Sequence, residues 1–273
     1  MPTTGRRVIS ADCHIDLIWL PPDLFTTNAS AKYKDRMPFV APSPAGPTWV
    51  SKAGAAFGLQ CGMGSAGRPY VPGDIQRSDR MAETGLYAPE QRELRRLTDP
   101  TLRLLDQDRD GVSAEVLYGI LGASMRLNDA DAATEMMRIY NEWLADFCDT
   151  HPERYAGLAN IPNHDIDAAV AEMGRVAKRG AVRGIEVANS YDMKPLFHPD
   201  WDPMWAVANE AKLPVHFHTV GAKAPNVEGF APLQRRQQFA VHITGFQMGM
   251  SRILMEIIFG GVLEKYQNLQ LVI

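Results

Sequence analysis

The spacing of apolar and polar positions changes several times along this chain, and each change marks an element. Near the start, "RVISADC" (residues 7–13) reads as a short strand. From about Pro21 to about Thr98 regular periodicity is lost and Pro and Gly become dense ("APSPAGPTW", "GMGSAGRPYVPGD"). Residues 21–98 therefore read as an insertion, a lid-like excursion after the first strand. Beyond it helix and strand patterns alternate. "DPTLRLLDQDRDG" is a helix with Asp99 at the N-cap, Pro100 at its first position and Gly111 as its stop. "VSAEVLY" is a strand. "DADAATEMMRIYNEWLADFCDTH" is a long amphipathic helix with Met136, Ile139, Tyr140, Trp143, Leu144 and Phe147 on one side. There follow a strand, "RYAGLANIP"; a helix, "DIDAAVAEMGRVAKRG", capped by Asp165; a strand, "VRGIEVA"; and a helix, "DWDPMWAVANEAK", capped by Asp200. "LPVHFH" is the fifth strand, "RRQQFAVHITGFQMGMSRILMEIIFGG" one long or two broken helices, and "NLQLVI" the sixth strand.

This order, β(αβ)₅ with short connections, predicts a parallel sheet covered by helices. A (β/α)₈ barrel and an open doubly wound sheet both fit it. No GxGxxG follows the first strand and no P-loop is present, so the nucleotide-binding form of the open sheet loses support.

Composition narrows the function classes. The 273 residues suffice for one large domain or two small ones. With 28 basic and 32 acidic residues, the net charge of -4 excludes the basic footprint of a nucleic-acid binder. The apolar stretch "ILMEIIFGGVL" is too short to span a bilayer and carries Glu256. The basic "MPTTGRR" leads into no apolar signal region, so a cytoplasmic protein is expected. Cys13, Cys61 and Cys148 are odd in number and far apart, as reduced thiols outside any disulfide or zinc pattern would be.

Candidate chemistry begins at Asp12-Cys13-His14. Strand alternation sends Asp12 and His14 to one face and Cys13 to the other. At the carboxyl end of a first barrel strand the shared face is the mouth. A carboxylate and an imidazole there suit a divalent cation such as zinc or manganese. His216 and His218 form a second same-face pair on the fifth strand, across the mouth from the first in a closed barrel. D-x-H also arises by chance, and a core histidine bonded to a carbonyl is the plainer account, better for His216 than for His218. His242, with Phe239 three residues before and Phe246 four after, falls on the buried stripe of its helix, with substrate contact as its functional alternative. Asp16 could orient His14. Arg68, Arg77 and Arg80 could reach an acidic substrate if the excursion folds over the mouth. His151, His164 and His198 read as loop positions, and Met248, Met250 and Met255 as core filling.

The stretches "ISADCHID…PPDLF", "LDQDRDGVSAEVLY", "YNEWLADFCDTHPERYAGLANIP", "VRGIEVAN", "DPMWAVANEAKLPVHFH" and "IIFGGVLEKYQNLQLVI" resemble the amidohydrolase superfamily. The branch is that of aminocarboxymuconate-semialdehyde decarboxylase and the resorcylate-type decarboxylases. The resemblance covers nearly the whole chain and is weakest across the excursion. It implies an α/β fold of the (β/α)₈ TIM-barrel type, here with about six strands, in a single domain over residues 1–273. It also implies one divalent metal, zinc or manganese. The family's first-strand pair falls on Asp12 and His14, and the ligand of its "PV-x-x-H" pattern on His218. His216 lies outside that pattern and is taken, with His242, as substrate-binding. The implied function is a metal-dependent carboxy-lyase or hydrolase acting on a small, often aromatic, carboxylic acid, with a homodimer by analogy. In the family the sixth strand leads into an acid–base His or Glu, and the eighth strand supplies a metal-binding Asp. This sequence stops at Leu271-Val272-Ile273, so the acid–base group is expected beyond Ile273, and the first and sixth strands are expected as open edges. The competing expectation is a non-catalytic fragment with a partial metal site.

Overall fold

Strand–helix repeats organise the computed structural model, which describes residues 7–44, 47–55, 57, 97–189, 193–219 and 227–273. Most of the excursion, with Cys61, Arg68, Arg77 and Arg80, lies outside the described residues. The chain divides into two compact units, residues 1–160 with 179–183, and residues 161–178 with 184–273. Among the described residues no helix is long and apolar enough to cross a membrane.

The first unit runs β1 (Ile9–His14), α1 (Leu24–Asn28), β2 (Phe39–Ala41), β3 (Thr48–Val50), α2 (Pro100–Asp110), β4 (Ala114–Tyr118), α3 (Leu121–Ser124), α4 (Ala130–Asp149) and β5 (Tyr155–Ile161). Strands β1, β4 and β5 pair in parallel. The early part of the excursion is more regular than its Pro/Gly content predicts, because β2 and β3 pair as a short antiparallel ribbon. Trp49, at its centre, is buried and meets Phe25 of α1 edge-on at 5.7 Å.

Helix α2 begins and ends where the sequence signals place it. The Asp99 carboxylate accepts from the Leu102 N–H at 2.9 Å, and Gly111 closes the helix at φ 73°. Helix α4 buries Met136, Ile139, Tyr140, Leu144 and Phe147, five of its six predicted inward positions, while Trp143 is half-buried. Gly157 on β5 allows close approach: a Cβ there would lie 2.7 Å from Cys148 Sγ and 2.9 Å from Leu144 Cγ. The burial this permits pushes the Cys148 thiol up to about 12. Asn141, also on α4, brackets the end of β5. Its Nδ2 donates to the Asn160 carbonyl at 2.9 Å and its Oδ1 accepts from the Asn160 N–H at 2.7 Å. The Asn160 side chain in turn accepts from the Ile120 N–H at 3.0 Å.

The second unit contains α5 (Ile166–Arg179), β6 (Gly184–Val187), α6 (Asp202–Ala211), β7 (Val215–His216), α7 (Pro232–Phe259), α8 (Val262–Lys265) and β8 (Leu271–Val272). Strands β6, β7 and β8 are again parallel. With three parallel strands in each unit and helices between them, the repeat is that of the (β/α)₈ type, represented by six strands. Asp165 caps α5 through the Ala168 N–H at 3.0 Å. Asn163 repeats the Asn141 device, donating to the Ala188 carbonyl at 2.7 Å and accepting from the Ala188 N–H at 3.2 Å.

Two local expectations are corrected. Asp200 does not cap α6, because a 3₁₀ turn at Pro199–Trp201 precedes that helix; His198 caps the turn, its Nδ1 accepting from the Asp200 N–H, while the Asp200 carboxylate pairs with Lys194. Helix α7 is one continuous helix and lacks the buried stripe predicted around His242. Phe239 and Met248 are 62 % and 66 % exposed, and only Ile253 and Ile257 are buried. Phe239, Val241 and Ile243 recur at a spacing of two, which scatters apolar side chains around the helix.

Substituting Asn141→Ala takes a partner from two buried backbone groups at roughly 1–3 kcal/mol each. A loss of about 2–6 kcal/mol in unfolding free energy is expected, read from urea denaturation, and Asn141→Asp, which sets a buried carboxylate against the Asn160 carbonyl, is expected to cost at least as much at neutral pH.

Candidate metal centre

The two same-face pairs belong to different units and are built differently. In the first unit, Ser10 pairs with Glu115 and Cys13 with Leu117, so β1 holds one residue more than β4 between these points. This bulge takes in Asp12, the first of the predicted ligand pair, and bulges re-aim side chains. Pairing resumes at His14 and Tyr118. Asp12 and His14 meet on one face, with Nε2 of the imidazole 3.0 Å from Asp12 Oδ1. The other ring nitrogen, Nδ1, is 3.4 Å from Asp16 Oδ1. The ring stacks on Tyr118 with centroids 5.7 Å apart and planes 26° apart. Cys13 turns to the other side, its Sγ 3.0 Å from Ser10 Oγ and 3.5 Å from Glu115 Oε1.

These contacts decide the charge on His14. Its hydrogen bond to Asp16 raises the imidazole above its ordinary range; partial burial opposes this, and the charges of Asp16 and Asp12 add to the rise. Asp16 thus stands against Nδ1 of the ring while Nε2 faces Asp12, so the two ring nitrogens have different carboxylate neighbours.

In the second unit, His216 is 7 % exposed on β7, and burial alone pushes its imidazole down to about 4. It is therefore neutral near pH 7. Phe217 is buried and donates its N–H to the Val272 carbonyl at 2.9 Å. His218 lies two residues beyond His216, just past the strand, half-buried, with Nδ1 3.4 Å from Thr219 Oγ1. His242 is half-exposed on α7, its ring edge-on to Phe246 at 4.7 Å. His164 is exposed in the loop after β5. Periodicity overlooks Tyr118 and Arg103 near the β1 pair. The signal that could have found Tyr118 is its place at the end of "VSAEVLY", level with the end of the neighbouring strand.

A sequence model of the family described as Amidohydrolase matches residues 11–273. Among curated relatives, gamma-resorcylate decarboxylase of Rhizobium radiobacter is 26% identical over 155 residues, covering 54% of this chain and 46% of that one. The enzyme of the same name from Rhodococcus jostii is 28% identical over 131 residues, 45% of this chain and 39% of that one. The chain spans about half the length of the curated relatives it matches. Among solved structures, an amidohydrolase from Mycobacterium avium subsp. paratuberculosis is 19% identical with a TM-score of 0.63, covering 98% of this chain and 72% of that one. A 5-carboxyvanillate decarboxylase from Novosphingobium aromaticivorans, complexed with manganese and 4-hydroxy-3-methoxy-5-nitrobenzoic acid, is 19% identical with a TM-score of 0.59, covering 98% and 65%. At this identity the likeness to solved structures shows the fold.

Two pH-dependent outcomes follow from the histidines. Asp16→Asn removes the main cause of the raised His14 value, so an NMR titration of the ring should move toward the ordinary 6.5. A raised folded value stabilises below the unfolded value and loses that contribution as pH rises through the folded one, so any stability this variant gives up should appear on the acid side. His216 has the opposite sign. Between its ordinary 6.5 and its folded value of about 4 the unfolded chain binds the extra proton, so stability falls with falling pH. The slope is at most about 1.4 kcal/mol per pH unit. In thermal unfolding between these pH values, His216→Gln should flatten that limb.

Proposed function

The chain belongs to the amidohydrolase family, and on that premise we propose that Asp12, His14 and His218 hold one divalent cation, manganese or zinc, in an enzyme that removes CO₂ from a small aromatic carboxylic acid. The carrying observation is the Asp12–His14 pair on one face at the carboxyl end of β1, with the remote ring nitrogen already engaged by Asp16. In (β/α)₈ enzymes that end of the strands bears the chemistry. His218 is assigned to the same ion by the family's "PV-x-x-H" pattern, which falls on "PVHFH" at the end of the fifth strand. One carboxylate oxygen and two imidazole nitrogens fit a cation of borderline softness.

Bound there, the cation would supply Lewis acidity toward the carboxylate or neighbouring hydroxyl of the substrate. The residues of the chain prepare its place. Asp16 takes the Nδ1 side of His14, and the Nε2–Asp12 hydrogen bond must open so that both groups can turn to the cation. His14 must also shed its proton, so cation affinity should rise with pH until the raised imidazole value is passed. His216, neutral near pH 7, would give the substrate an uncharged hydrogen-bonding partner, and His242 a further contact from α7. Decarboxylation is preferred to hydrolysis because the curated relatives are named as decarboxylases.

Calorimetric titration with Mn²⁺ tests the proposal. One-to-one binding is expected, abolished by His218→Ala and weakened about tenfold or more by Asp12→Asn. Absence of binding, or binding unchanged by His218→Ala, would refute it. Release of CO₂ from dihydroxybenzoates, set against hydrolysis of aryl esters, separates the two reaction types.

A further inference from the structure

Beside the Asp12–His14 pair lies a buried ion pair with no part in the proposed ligand set. Arg103 projects from α2 and is 4 % exposed. Its Nε donates to Glu115 Oε2 at 2.6 Å. Its Nη1 donates to two carbonyls, that of His14 at 3.2 Å and that of Leu97 at 3.0 Å. Glu115 stands on β4 opposite Ser10, at the point where the β1 register slips, and its other oxygen lies 3.5 Å from Cys13 Sγ.

A bulged strand end has a disrupted ladder and can bend or twist. A guanidinium presents its donors in a rigid planar fork, so one side chain can hold a carboxylate and two carbonyls together. Arg103 and Glu115 are neutral as a pair, so they give orientation without setting a net positive charge against a nearby cation. We propose that Arg103 is a positioning residue: anchored by Glu115, it fixes the His14 carbonyl and thereby the direction in which His14 presents its imidazole. The consequence for a cation rests on the ligand assignment above, whereas the positioning itself belongs to the metal-free chain.

Arg103→Lys tests this, because an ammonium keeps the charge beside Glu115 but lacks the fork that spans all three acceptors. In nitrogen-15 NMR spectra of the metal-free variant the ring signals of His14 should shift while those of His151 and His198 stay. Mn²⁺ affinity should fall about tenfold or more, as it does when partners that orient a ligand are removed. Arg175→Lys, which loosens the Arg175–Glu172 pair on α5, should change neither. Should Arg103→Lys fail to fold, Glu115→Gln keeps the guanidinium and removes its anionic anchor, and the same changes are expected at smaller size. Unmoved His14 ring signals in a folded variant overturn the proposal, whatever the Mn²⁺ affinity does. If the unmodified chain binds no Mn²⁺, the ligand assignment fails by itself, and the ring signals still decide whether Arg103 positions His14.

Discussion

Backbone hydrogen bonding runs out at the ends of strands, and in this chain side chains must satisfy those ends before they can carry anything else. Within a parallel ladder each amide and carbonyl has a neighbour; past the last rung it is buried and unpaired unless something replaces the missing strand. Asn141 does this for Asn160 in the first unit, and Asn163 does it for Ala188 in the second. The carboxamide suits the task because it carries one donor side and one acceptor side, like a peptide group. At β1 the problem is harder, because the bulge disturbs the rungs just before His14. There the His14 carbonyl receives the guanidinium of Arg103.

The same residue type meets opposite surroundings in the two units. His14 sits among carboxylates, and its hydrogen bond to Asp16 favours the protonated ring. His216 sits in the interior, where desolvation disfavours charge and brings it to about 4. Near neutral pH His216 behaves as a fixed, uncharged shape. His14 is an adjustable group, able to exchange a proton for another positive partner.

Local structure was legible in the sequence wherever its cause is local. The Asp99 cap, the Gly111 stop and the inward face of α4 depend on residues within a turn or two of one another, and the structure has them as read. The shared face of Asp12 and His14 was legible too, since alternation is a property of any strand. The bulge that aims them was not, because it exists only relative to Glu115 and Leu117 on a different strand. Arg103 carries no local signal of its role, because its partners Glu115 and the His14 carbonyl lie on β4 and β1. Helix α7 misled for another reason: an apolar residue at the right spacing from His242 shows a stripe only if the opposite side is polar, and Val241 and Ile243 make it apolar as well.

The close seat of α4 against Gly157 also gives the first unit an internal reporter. Only a thiolate reacts readily with alkylating reagents, and Cys148 is fully buried with its thiol pushed up to about 12. While α4 stays seated on β5 the group is out of reach. Its rate of labelling therefore measures how often the helix lifts away, as amide exchange measures the opening of a hydrogen bond. Cys13, half-exposed between Ser10 and Glu115, is shielded far less. Two thiols at different depths of one unit thus distinguish loosening of the β1 end from departure of a whole helix.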